Sequence, residues 1–197
     1  MMLKETMAEE KKNNPIYVFA LILLAIGVIS GSVYLVRVGV DSGEGIKTYI
    51  NNFFSSFAEN RNNIEVFKNA LTANLISVGV IFLMGFFRFG FLVTGAILVR
   101  KGFIMGFTAA SFFKYYGIKG MLVMLSTMPT MLITLPALLF FSAVSVRFSL
   151  IKEKNKKNLI FSYIFFLILA ISIFCVASFS EGYLTTTFMT WLSPKIS

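Results

Sequence analysis

Apolar and polar positions in this chain fall into long blocks rather than short periods. Residues 16–36, 70–87, 102–116, 121–146 and 159–178 are apolar runs almost free of charge. At about 1.5 Å of rise per residue the longer runs cross roughly 30 Å of hydrocarbon, where a helix satisfies its own backbone. The pattern predicts an all-α polytopic membrane bundle of about five transmembrane helices. It forms one membrane domain over 16–197, behind a polar tail at 1–15 that ends at Pro15. The one sizeable polar connection is 37–68, in which Ile46, Tyr49, Phe53 and Phe57 recur at helical spacing. They predict an amphipathic helix in the outer loop, lying in the membrane interface or offering its apolar face as a docking surface for a partner protein.

Interruptions within the blocks carry the next predictions. "FGFLVTGAILV" (89–99) lies between Arg88 and the pair Arg100 and Lys101, and is too short to cross a bilayer alone. If these cations share one surface, the stretch between them is a re-entrant or interfacial half-helix and the span occupies only 102–116. The alternative is one continuous helix with Arg100 and Lys101 near mid-membrane, which costs several kcal/mol per charge unless each meets a partner or water. The re-entrant arrangement is the cheaper, so a helix broken at Arg100 and Lys101 is expected. Pro129 and Pro136 interrupt 121–146 in the same sense, with Ser126, Thr127, Thr130 and Thr134 placed to satisfy the freed carbonyls. Gly102, Gly106 and Ala110 recur every four residues as a smooth stripe that serves either helix packing within the chain or assembly of a homo-oligomer. Asn69 and Asn74, at the start of the second span, cap or cross-link helices.

Composition agrees with this picture: 57% of residues are hydrophobic and the mean hydropathy is +0.81. The net charge of +9 would suit a nucleic-acid surface, but the bases gather at the ends of apolar runs. With the N-terminus inside and Arg100 and Lys101 cytoplasmic, eleven of eighteen bases fall on the cytoplasmic side. The densest basic loop, 147–158, falls there too, as the positive-inside tendency requires. The N-terminus is thus expected in the cytoplasm and the C-terminus outside, with Tyr183 and Trp191 as interfacial anchors. Histidine is absent, cysteine occurs once, at Cys175, and carboxylates number nine. No metal ligand set, cofactor site or catalytic group is expected, and no nucleic-acid partner; the lipid bilayer is the partner that composition implies.

"KGFIMGFTAASF" (Lys101 to Phe112), "STMPTMLITLP" (Ser126 to Pro136) and "SAVSVRFSL" (Ser142 to Leu150), in this order and spacing, resemble the stage II sporulation protein M family. The similarity is most specific from Asn69 to Leu150. It implies a five-span membrane protein without catalysis of its own. In endospore formers the family's namesake belongs to the engulfment machinery and acts as scaffold for the stage II sporulation proteins D and P, which degrade peptidoglycan. The implied location is the mother-cell septal membrane, although members also occur in organisms that make no spores. The competing expectation is a membrane subunit of a transporter or channel, with the segment around Gly102 lining a path. Against it stand the lack of a nucleotide-binding loop, of internal repeats, and of any acidic residue within the predicted spans.

Overall fold

The computed structural model describes residues 2–38, 44–45, 48, 62–150 and 156–196. The docking face predicted at Ile46, Tyr49, Phe53 and Phe57 therefore lies outside the described residues. Helices follow one another through the rest: α1 (Met2–Val38), α2 (Asn63–Gly85), α3 (Gly90–Tyr116), α4 (Ile118–Leu150) and α5 (Lys156–Ser180). A five-residue π turn, Glu181–Thr185, joins α5 to α6 (Thr186–Ile196). Five stretches are long and apolar enough to span a membrane: Pro15–Arg37, Asn63–Gly85, Gly90–Tyr116, Gly120–Leu150 and Leu159–Trp191. The protein is a helical membrane bundle.

Local chemistry sets the ends. The Asn62 side chain accepts from the Ile64 amide at 3.1 Å and caps α2. Gly117, at φ 55°, supplies the left-handed residue on which α3 reverses directly into α4. A tight turn over 86–89 reverses α2 into α3. The bundle thus has an Arg88 end and a Gly117 end.

The second span, read as 70–87, runs over Asn63–Gly85, and four further features differ from the sequence reading. First, α3 runs unbroken through Arg100 and Lys101, so the re-entrant segment is replaced by a full span, and 102–116 becomes Gly90–Tyr116. Helical backbone is the cheapest state for peptide groups in hydrocarbon, and Lys101 finds an acceptor inside the bundle. Second, Pro129 and Pro136 do not break α4. The prolines are exposed, and the hydroxyls beside them bond other carbonyls: Ser126 to Val123 at 2.6 Å, Thr127 to Met124 at 2.9 Å, Thr134 to Thr130 at 2.7 Å. The carbonyls that the prolines leave free, those of Leu125 and Leu132, are not their targets. Third, the last span continues beyond 178 through the π turn to Trp191. Fourth, α1 begins at Met2 because its polar start is rich in good helix formers, and Pro15 frees only the carbonyl of Lys11, outside the apolar stretch.

Helices α2, α3, α4 and α5 form the central bundle, with α1 laid along α3. The α1–α3 seam rests on glycine. A Cβ on Gly102 would collide with the Leu24 carbonyl, and one on Gly106 with the Val28 carbonyl; Gly27 and Gly31 face α3 in the same way. The Ser32 hydroxyl adds a bond to the Gly106 carbonyl at 3.2 Å. Such close approach replaces the hydrophobic drive that lipid removes. Toward the Arg88 end the core is aromatic: Tyr163, 1% exposed, stacks on Phe148 at 4.3 Å and Phe82 at 4.8 Å and donates its hydroxyl to the Phe82 carbonyl at 3.0 Å. Large apolar side chains such as Ile29, Leu132 and Phe161 point outward, as suits contact with lipid.

Candidate functional site

A group of polar residues from α2, α3 and α5 meets within the bundle. Lys101, on α3, donates to the Asn74 side-chain oxygen on α2 at 3.2 Å, and the Asn74 amide donates to the Ser178 hydroxyl on α5 at 3.1 Å. Asn74 and Ser178 are both buried. One amide thereby ties three helices, the cross-link expected of Asn74; Asn69 instead stands exposed on a cavity rim. The π turn places Glu181 on the same side as Lys101, close enough for each charge to act on the other. Among the described residues the two do not close into a direct ion pair. A cavity of about 460 Å³ that both residues line lies between the helices.

Hydroxyls build the wall toward the Gly117 end. Thr185, in the π turn, donates to the Ser126 carbonyl at 3.1 Å and lies 3.4 Å from the Thr130 hydroxyl. Thr186 donates to the Glu181 carbonyl at 3.3 Å, five residues back, in keeping with the wider π winding. Gly182 allows this packing, since a Cβ there would lie 2.7 Å from the Phe67 side chain. Single π turns of this kind are frequent at functional sites. Met105, Met131, Leu135 and Leu138 supply the apolar lining. Further toward the Arg88 end on the same helices lies a packed core that includes Val78, Ile81, Leu98, Phe141 and Phe174.

A scan against protein families matches the stage II sporulation protein M family over residues 20–186. The chain belongs to the stage II sporulation protein M family. It is a sporulation-related, multi-pass membrane protein by that membership. No curated protein and no solved structure matches it.

Within this family member the predicted residues separate by role. Gly102 and Gly106 lie on the α1–α3 seam inside one chain, with Ala110 half-buried one turn further on. Arg100 is exposed and does not line the cavity, so neighbouring cations have opposite surroundings. The residue that sequence reasoning missed is Glu181. Its place within Leu159–Trp191 corrects the expectation that no acid lies in a span. The signal was available: a lysine kept inside the membrane requires a counter-charge, and Glu181 directly follows an apolar run.

Proposed function

We propose that this protein is a non-enzymatic membrane scaffold that gathers peptidoglycan hydrolases, the stage II sporulation proteins D and P, at the septal membrane during engulfment. The observation that carries the reading is the family match across residues 20–186. A scaffold holds its partners at high effective concentration near the membrane and needs no chemistry of its own. The absence of histidine from the sequence supports that division of labour. In this reading the N-terminus is cytoplasmic, and the loop over 37–68 and the C-terminal end face the hydrolases in the intermembrane space.

One observation favours a second reading. Lys101 and Glu181 inside the membrane are what a transport subunit would present to a solute. The packed core toward the Arg88 end, with Val78, Ile81 and Leu98 buried, weighs against a conduit, because a path must continue to the other face. Deleting the gene in a spore-forming host separates the two. Arrest after polar division, with fluorescent hydrolases made but dispersed from the septum, is expected of the scaffold. Normal engulfment with correctly placed hydrolases would overturn it and put transport first.

A further inference from the structure

The cavity offers two opposite charges with unused hydrogen-bonding capacity. Lys101 has three donors and spends one on Asn74. The Glu181 carboxylate accepts no hydrogen bond among the described residues, although it lies inside a membrane-spanning stretch. Polar groups so placed are stable when a ligand or water completes them. A singly charged ligand would be attracted by one of the pair and repelled by the other. A zwitterion meets both, and leaves the site neutral as it was before binding.

Shape narrows the ligand further. About 460 Å³ lies within the usual range for a small-molecule site. The lining away from the two charges is apolar, at Met105, Met131 and Leu135, and Ile104 on the rim is 48% exposed on the outer surface of the bundle. An apolar chain attached to the zwitterion can leave by that rim into lipid.

We propose that this cavity binds a zwitterionic headgroup that joins a phosphate to a primary ammonium, the phosphate on Lys101 and the ammonium on Glu181. The aminophospholipid phosphatidylethanolamine is its membrane-borne form, and free phosphoethanolamine its soluble one. The chemistry makes the site selective. Phosphatidylcholine keeps the charges but has no N–H to donate to Glu181, and phosphatidylglycerol has no cation at all. This inference stands apart from the scaffold reading, since a scaffold with or without a bound lipid would recruit hydrolases equally well in principle.

The test uses the purified full-length protein in detergent, exchanged against equimolar phosphatidylethanolamine, phosphatidylcholine and phosphatidylglycerol, with retained lipid counted by native mass spectrometry. Phosphatidylethanolamine should be retained about tenfold over phosphatidylcholine, the worth of one hydrogen bond to a charged group. Glu181→Leu, which removes both the charge and the acceptor, should bring that ratio close to one, while Gly79→Ala, where an added Cβ meets nothing within 4 Å, should leave it unchanged. A parallel thermal-shift titration with phosphoethanolamine identifies the source: stabilisation by it at concentrations that displace the lipid assigns the site to the soluble form of the same headgroup. Equal retention of the three lipids by the wild-type protein, with no shift from phosphoethanolamine, would overturn the proposal without requiring any variant to fold. A preference that survives Glu181→Leu would overturn the assigned site.

Discussion

Asn74 is the residue on which the interior depends most. It accepts from Lys101 and donates to Ser178, so Asn74→Leu removes two bonds and leaves a buried-side ammonium with one acceptor fewer. Hydrogen bonds between membrane helices average about 0.6 kcal/mol, but stranding a charge costs more. Asn74→Leu should therefore lower stability by about 2–3 kcal/mol, read from denaturant or thermal unfolding in detergent. Lys101→Met in the same background should remove much of that cost, because no ammonium is left to strand; additive losses would show that Asn74 and Lys101 act independently. Tyr163→Phe is the milder counterpart. It loses the bond to the Phe82 carbonyl but keeps the ring stack, and should cost about 1 kcal/mol.

Helix against helix, the α1–α3 seam makes the sharpest demand. A Cβ on Gly106 would run into the Val28 backbone, which cannot swing away as a side chain can, so Gly106→Ala should separate the helices and cost about 1–3 kcal/mol. Gly79→Ala meets nothing within 4 Å and should be neutral or stabilising by up to about 1 kcal/mol through helix propensity. Matched melting curves for the two variants decide it: equal stability would mean that the seam is not tightly packed. Much of this was legible beforehand. The five spans follow from block hydropathy, and the stripe of Gly102 and Gly106 from its four-residue spacing. The partner of the stripe was not legible, because spacing gives a smooth face without saying whether Gly27 and Gly31 or a second copy covers it. Lys101 misled for a related reason. Insertion costs apply to a charge facing lipid, whereas Lys101 faces Asn74 and Glu181, which are distant in the chain and brought near only by the fold.

For the molecule as a whole, moving Lys101 into the bundle changes the case for its orientation. Without Arg100 and Lys101 the proposed cytoplasmic side keeps nine bases against seven outside, a slimmer margin than the sequence reading had. The weight then falls on where the bases lie: Arg147 to Lys157 holds five within eleven residues of sequence, while four of the seven outside are spread over 37–68 with Asp41, Glu44, Glu59 and Glu65. Short, dense basic loops dominate topology and acids contribute little, so the N-terminus should still be cytoplasmic. Five spans then place the two termini on opposite faces. Single cysteines in a Cys175→Ser background read this directly with a membrane-impermeant maleimide. Ser42→Cys and Ser193→Cys should label from outside, and Asn155→Cys only after the membrane is opened. Lys101→Cys is the decisive position, because the packed core lies toward the Arg88 end from it. It should resist the reagent from the cytoplasmic side even in inverted vesicles; rapid cytoplasmic labelling there would overturn the continuous α3 span and restore a segment that re-enters at the surface.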